Sequence, residues 1–123
     1  MLRKIVSGGQ TGVDPAALDT ARALGLRSGG WCPSGRIAED DRLRLCYRLL
    51  ETASPDYWQR TEWNVRDPDG TLIINRGRRI RRERFRAWLA RHRVRVLNVA
   101  GPRESKRPSI YRQARRILLC LLG

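Results

Sequence analysis

A glycine-rich turn near the start of the chain, between a predicted strand and a predicted helix, is the feature that most constrains its fold. The turn Ser7-Gly8-Gly9-Gln10-Thr11-Gly12-Val13-Asp14 follows the apolar run Leu2 to Val6 and precedes a helix-forming run that ends at Gly25. Glycines allow a tight turn and the close approach of a ligand, and unpaired amides at a helix start attract an anion. This order predicts an α/β fold with a phosphate-binding loop. The alternative is a tight turn that binds no ligand.

Asp14 and Pro15 are expected to mark the start of this helix. Asp14 has a side chain suited to capping, and Pro15 suits the first helical position because its missing N–H would be unpaired there anyway. Asp14 could also act on a ligand hydroxyl, although capping alone explains its presence. The glycine spacing fits neither G-x-G-x-x-G nor a P-loop, since no Lys-Ser/Thr pair follows. The turn therefore favours phosphate without indicating a standard dinucleotide or nucleoside triphosphate site.

Hydrophobic periodicity continues the alternation of strands and helices along the chain. Further strands are predicted at 26–30, 71–74 and 94–100, and further helices over 54–64, 79–92 and 109–122. The stretch 42–50 stays unassigned because its alternating apolar pattern breaks at the end. The order favours a single domain over 1–123, α/β and Rossmann-like, with a mostly parallel sheet of about four or five strands and helices on both faces.

The charge balance is compatible with a polyanionic partner without favouring one. The chain has 26 Lys+Arg against 12 Asp+Glu, a net charge of +14. Ten arginines lie between Arg76 and Arg95, with Glu83 as the acidic residue among them. No aromatic-rich RNA-binding signature or zinc-finger spacing accompanies this cluster. A solvated helix face is therefore favoured, and a nucleic-acid surface remains the alternative.

The sequence predicts a cytoplasmic protein with no membrane partner and no metal site. No hydrophobic signal region is found at its start, and the apolar stretch 117–122 is far shorter than the roughly 20 residues that span a bilayer. Cys32, Cys46 and Cys120 are widely spaced and form no C-x-x-C pair. This favours free thiols over a disulfide frame or a metal ligand set.

Two further segments are predicted to border the ligand. The segment 98–105 lies at the end of the predicted strand 94–100, and the carboxyl ends of parallel strands meet at one edge of the sheet. Within it, Gly101 permits close approach, and Arg103 can form two hydrogen bonds with a phosphate or carboxylate. On the predicted helix 54–64, Arg60 and Asn64 are stacked neighbours that can face the pocket. Tyr57 and Trp58 are expected to pack instead.

Four motifs, in this order, resemble the putative molybdenum carrier family: SGGQTGVD, GGWCPSGR, YWQRTEWNVRDPDGTLII and LNVAGPRESKRP. That family belongs to a wider nucleotide-binding group that includes the lysine-decarboxylase-like cytokinin-activating enzymes and DprA. The resemblance covers Leu2 to Leu122 and implies a Rossmann-like fold with a pocket for a nucleotide-containing or phosphorylated ligand. Carried over motif by motif, it implies the binding residues Ser7, Gly8, Gly9, Gln10, Thr11, Gly12, Arg60, Thr61, Asn64, Asn98, Gly101, Pro102, Arg103 and Ser105.

The sequence departs from the family pattern after the strand 71–74. The family has a second glycine-rich loop there, followed by a helix and a buried strand, whereas here Asn75-Arg76-Gly77 leads directly into the arginine-rich helix. One helix-strand unit is missing from the pattern. Its loss is expected to leave an apolar sheet edge, which predicts self-association into a homo-oligomer or marginal stability.

The resemblance and the departure together favour a binding or carrier protein over an enzyme. The related phosphoribohydrolases need a PGGxGTxxE motif at the missing position, and no catalytic residue is assigned. The cofactor stays unidentified, with the molybdenum cofactor or another small nucleotide-like ligand as the candidates. A nucleotide-processing hydrolase and a basic nucleic-acid-interacting protein are the alternatives.

Overall fold

Four parallel strands form the central sheet, and their order brings the two predicted binding turns side by side. The computed structural model describes residues 1–36, 38–39, 47–75 and 79–123. Its elements in chain order are β1 (Lys4–Val6), α1 (Val13–Ala23), β2 (Arg27–Gly29), β3 (Trp31–Cys32), β4 (Leu50–Glu51), α2 (Tyr57–Arg66), β5 (Gly70–Ile73), α3 (Arg82–Arg91), β6 (Val96–Ala100) and α4 (Ile110–Leu122). The sheet has the order β2-β1-β6-β5, and β3 pairs with β4 in a separate two-stranded sheet. Because β1 and β6 are neighbours, the turns that follow them lie together.

One face of the sheet forms the main hydrophobic core. Ile5 of β1 pairs in register with Leu97 of β6, and Leu72 of β5 with Val99. These side chains pack in one cluster with α1 and α4, which contribute Val13, Ala16, Ala17, Ala21, Ile110, Ala114, Leu118 and Leu121. Small residues on α1 allow α4 to approach closely. One apolar stripe of α4 is buried, as the amphipathic pattern of 109–122 predicted.

The opposite face of the sheet carries polar side chains and is covered in part by α2. Successive residues of a strand point to opposite faces, so Asn98 points away from the core that Leu97 enters. Its amide donates to the hydroxyl of Thr71 on β5, with a nitrogen–oxygen distance of 3.3 Å. Asn64 of α2 shares a cavity with Asn98. The predicted parallel α/β sheet with helices on both faces is confirmed.

The start of α1 differs from the prediction. Gly12, with φ of 79°, occupies the N-cap position, and no side chain caps the helix. Asp14 is thus the second helical residue and Pro15 the third, so the prediction that Asp14 caps is wrong. Its carboxylate accepts instead from the amide of Gln10 in the preceding loop. The other predicted elements are found, with ends that shift by one to three residues.

Some of the predictions concern residues outside the described ranges. These are residues 42–46 of the unassigned stretch, including Cys46, and residues 76–77 at the departure from the family pattern. Among the described residues, Leu50–Glu51 forms β4.

Strand β5 forms one edge of the described sheet. Ile73 on this strand is 70% exposed, and Val65 on α2 is 55% exposed. An exposed strand edge with apolar side chains is a surface at which chains can associate. Self-association stays a prediction.

Two arginines of the predicted cluster have internal partners. Arg82 and Arg86 on α3 donate to the carbonyl oxygen of Gly123 at 2.7 and 3.0 Å, and Arg86 also donates to that of Leu121. The last carbonyls of a helix lack partners within the helix and attract cations. These two arginines therefore attach α3 to the end of α4.

Leu118 provides a test of the core between α4 and the sheet. It is fully buried, whereas its neighbour Leu119 is 36% exposed. We expect Leu118→Ala to lower the free energy of unfolding by about 2–5 kcal/mol, because it removes buried methyl groups and leaves a cavity. Urea unfolding followed by circular dichroism measures this change. Leu119→Ala is the control with the same chemical change, and equal losses for both variants would contradict the packing described.

Candidate ligand-binding site at the ends of β1 and β6

A cavity of about 310 Å³ opens at the carboxyl ends of β1 and β6. Three segments form its walls: the glycine turn after β1, one side of α2, and the end of β6 with the turn that follows. The lining residues are Gly8, Gln10, Asp14, Arg60, Thr61, Asn64, Val65, Asn98, Val99, Ala100, Gly101, Pro102, Arg103 and Lys106. The sequence predicted nine of these, which the structure brings together: Gly8, Gln10, Arg60, Thr61, Asn64, Asn98, Gly101, Pro102 and Arg103.

A buried ion pair joins the glycine turn to α2 inside this cavity. Asp14 Oδ2 accepts from Arg60 Nη1 at 3.2 Å and from the backbone amide of Gln10 at 3.0 Å. The Asp14 side chain is only 5% exposed. Burial raises its pKa from 3.8 to about 6, although the charge of Arg60 and the hydrogen bonds from Gln10 and Arg60 oppose the rise. Asp14 therefore holds the Arg60 guanidinium in place, and its pKa of about 6 is well above that of an ordinary aspartate.

The guanidinium of Arg60 lies directly against the glycine turn. A Cβ atom added at Gly8 would lie 1.9 Å from Arg60 Nη1. Glycine at this position leaves the room that the guanidinium occupies. The Arg60 guanidinium carbon also lies 5.4 Å from the centre of the Tyr57 ring, and that of Arg103 lies 5.8 Å from the same ring. Two cationic side chains that line the cavity thus lie near the same aromatic ring.

Two buried N–H donors of this site have no partner among the described residues. They are the side-chain amide nitrogen of Gln10 and Nε of Arg60. Gln10 is 6% exposed, and the Arg60 side chain is 14% exposed. A buried donor without an acceptor costs about 1–3 kcal/mol. Gln10 and Arg60 both line the same cavity, so the two unpartnered donors belong to residues of this site.

Several backbone amides of the glycine turn donate hydrogen bonds to other groups of the protein. Besides Gln10 N, the amide of Thr11 donates to Gln10 Oε1 at 3.1 Å, and that of Val13 donates to the Pro102 carbonyl at 3.3 Å. The prediction that the turn amides and the Thr11 hydroxyl surround phosphate stays a prediction.

The other predicted site residues shape the turns without lining the cavity. The Ser7 hydroxyl donates to the Asp14 carbonyl at 3.0 Å. Gly9 adopts a positive φ of 75°. A Cβ added at Gly12 would lie 2.5 Å from the Pro102 carbonyl oxygen, so the two turns pack backbone to backbone. Thr11 and Ser105 bind the carboxylate of Glu39.

Sequence reasoning missed some residues of the site. Glu39 belongs to no motif, and no local spacing connects it with Thr11 or Ser105. Tyr57 was expected to pack, yet its ring lies beside two guanidinium groups, and Trp58 is 61% exposed, so the prediction that Trp58 packs is wrong. Asp14 was noted as adjacent to the site, but its partner Arg60 is 46 residues away. Lys106 lies within the quoted motif LNVAGPRESKRP, and its basic charge was the available signal.

The described ranges contain neither a cluster of metal-ligating side chains nor a helix that could span a membrane. No three His, Cys, Asp or Glu side chains there are grouped so that they could bind a metal ion. None of the helices described is both long enough and apolar enough to cross a bilayer.

The raised pKa of Asp14 predicts an unusual dependence of stability on pH. Because the folded state binds this proton more tightly than the unfolded state, Asp14 favours folding in acid, and this contribution is lost as pH rises from about 4 to about 6. We expect the unfolding free energy of the wild type, minus that of Asp14→Asn, to fall by about 3 kcal/mol over that range. Urea unfolding at each pH measures the difference.

Asp69 supplies a control of opposite sign. The amides of Val96 and Arg95 donate to its carboxylate and lower its pKa. The wild type minus Asp69→Asn difference should therefore rise with pH, since stabilisation by this group is lost in acid. A carbon-13 NMR titration reports the Asp14 pKa directly. A value near 4 would contradict the described burial.

Comparison with known proteins supports the fold and the motif resemblance. The model of cpYpsA, the circularly permutated YpsA SLOG family, matches residues 5–81 and 77–122. The two matched segments meet where the sequence departs from the expected pattern. No curated protein matches the chain.

A solved structure extends this similarity to the whole chain. It is the crystal structure of a "putative molybdenum carrier protein" from Syntrophus aciditrophicus SB, with 37% sequence identity and a TM-score of 0.91. The match covers 99% of this chain and 96% of that one. The Rossmann-like class predicted from the motifs is thus confirmed. By sequence and by structure, this chain belongs to the circularly permutated YpsA SLOG family.

Proposed function

We propose that this protein binds a phosphorylated, nucleotide-containing ligand in the cavity between the glycine turn, α2 and the end of β6. The observation that supports this most directly is a pair of buried N–H donors without partners among the described residues, Gln10 Nε2 and Arg60 Nε, on two residues that line one cavity. Phosphate oxygens are acceptors that would satisfy such donors. The volume of about 310 Å³ lies at the small end of the range for ligand pockets.

The charges around the cavity favour an anion. Arg60, Arg103 and Lys106 line it, and Asp14 is the acidic side chain among the lining residues. Arg60 and Arg103 both lie near the Tyr57 ring, and an anion bound in the cavity that they line would be attracted by both charges. Asn64 and Asn98 add amide groups that can recognise the uncharged part of a ligand.

The proposal also concerns which ligand binds in the cavity. The related structure bears the name of a molybdenum carrier, so a molybdenum cofactor is one candidate and another small nucleotide is the second. We propose a carrier role, because the described cavity contains Asp14 as its one carboxylate and that group is paired with Arg60. A phosphoribohydrolase-like enzyme is the alternative, and turnover of a bound nucleotide would favour it.

We propose that the protein is cytoplasmic and that it self-associates at the edge strand β5. Ile73 on this strand is an exposed apolar side chain. Light scattering coupled to size-exclusion chromatography measures the mass in solution. A nucleic-acid partner is less favoured, since Arg82 and Arg86 bind backbone carbonyls.

Thermal shift and calorimetry test the binding proposal with AMP, ADP-ribose, NAD and molybdopterin compounds. A ligand at about 100 times its Kd should add roughly 2.7 kcal/mol to the stability of the folded state. We expect Arg103→Ala to weaken the binding of the best probe about tenfold to a hundredfold, because it removes a charged donor. Arg112→Ala, an exposed arginine of α4, removes the same charge away from the cavity.

Equal losses for both arginine variants would indicate a general charge effect and contradict the site. Native mass spectrometry of the purified protein gives an independent measurement, since a retained small molecule identifies the ligand. Binding of DNA or RNA alone, with steep salt dependence, would support the nucleic-acid alternative instead.

A further inference from the structure

The carboxylate of Glu39 is surrounded by donors from both binding turns. The Thr11 hydroxyl and the Ser105 amide donate to Oε1, the latter at 3.1 Å, and the Ser105 hydroxyl donates to Oε2. Arg103 Nη1 lies 3.9 Å from Oε2. Two hydroxyls, a backbone amide and a guanidinium therefore converge on one anionic group.

This set of donors is of the kind that binds a phosphoryl group. Phosphate sites in proteins combine backbone amides, Ser or Thr hydroxyls and arginine. Here the hydroxyls come from loops 94 residues apart in the sequence, which the pairing of β1 with β6 brings together. Thr11 is anchored in turn, because its hydroxyl accepts from the Glu104 amide at 3.1 Å. The position of these donors is fixed by the loops and not by Glu39 alone.

Glu39 is bound there as a charged group. Burial opposes its ionisation, but the hydrogen bonds from Ser105 and Thr11 outweigh burial and lower its pKa. Its side chain is still 18% exposed. Its backbone amide donates to Gln10 Oε1 at 2.7 Å, so the segment is attached to the same turn that borders the cavity. The carboxylate is thus an anion that lies at the surface, within reach of a competing anion from solvent.

We propose that Thr11, Arg103 and Ser105 form a second oxyanion subsite, which Glu39 occupies in the free protein and which a phosphoryl group of the ligand takes over on binding. This inference rests on the proposed function and specifies its ligand class. Arg103 both lines the cavity and faces Glu39, so the two anion positions adjoin. The ligand has two linked phosphoryl groups, as in a nucleoside diphosphate, with one in each position.

Competition with an internal carboxylate lowers the measured affinity. The apparent Kd equals the intrinsic Kd divided by the fraction of molecules whose subsite is free. If Glu39 occupies the subsite about nine-tenths of the time or more, its removal strengthens binding about tenfold or more.

Titration calorimetry with inorganic pyrophosphate at fixed ionic strength tests the subsite. We expect Glu39→Ala to bind pyrophosphate at least about tenfold more tightly than the wild type, and the double variant Glu39→Ala, Ser105→Ala to lose this gain. Glu83→Ala, in the first turn of α3, removes the same charge elsewhere and should leave the affinity unchanged. Circular dichroism melting checks that each variant folds, and Glu39→Gln replaces Glu39→Ala if the alanine variant does not.

The outcomes separate the subsite from the proposed function. A gain that persists in the double variant would show only the loss of a repelling charge, and it would overturn the subsite. An unchanged or weaker affinity in Glu39→Ala, with wild-type binding that Arg103→Ala abolishes, would overturn the subsite and leave the proposed function standing. Absence of binding in every folded variant would overturn both. Equal affinity of Glu39→Ala for phosphate and pyrophosphate would contradict the diphosphate class.

Discussion

The buried carboxylate of Asp14 is the constraint on which the arrangement of the site depends. An ionised carboxylate removed from water is costly unless a cation and hydrogen bonds compensate it. Here the compensation comes from the Gln10 amide, three residues before the helix residue Val13, and from Arg60 on α2. Burial still outweighs these partners, so the pKa of Asp14 stays raised at about 6. The ion pair joins α2 to the residues that follow the glycine turn, on two sides of the cavity.

Polar contacts, more than apolar burial, determine where α2 lies. Asn64 is the buried residue of this helix, and its side chain accepts from the Trp31 amide and donates to the Trp31 carbonyl, each at 2.8 Å. Trp58 and Val65 are exposed. A helix attached in this way depends on specific partners, and loss of one of them leaves a buried polar group unsatisfied. Helices α1 and α4 differ, since they bury apolar stripes against the sheet.

The two faces of the sheet differ in polarity, and this difference explains why the site lies on one of them. Ile5, Leu97 and Val99 satisfy the core on one face. The alternate positions on the other face are free to be polar, and Asn98 occupies one of them beside the cavity. The end of β6 then leads into Gly101, where an added Cβ would lie 2.4 Å from the Ile74 carbonyl oxygen. Because side chains alternate between the two faces, the strand that contributes Leu97 to the core also presents Asn98 to the cavity.

The sequence by itself determined the α/β class, the order of the elements and the glycine turns of the site. These features depend on local spacing: apolar periodicity distinguishes strands from helices, and glycine with proline marks the turns. Tertiary structure decided the capping of α1 by Gly12 in place of Asp14, the Asp14–Arg60 pair, the placing of two arginines at Tyr57 and the seating of Glu39 between Thr11 and Ser105. The Asp14–Arg60 and Thr11–Glu39 contacts join residues that lie far apart in the chain, and the partner of a charge is chosen by what lies nearby after folding. The N-cap is set by the conformation of the turn at Gly12. Motif spacing concerns residues that are close in the sequence, so it does not predict which distant residue a side chain will contact.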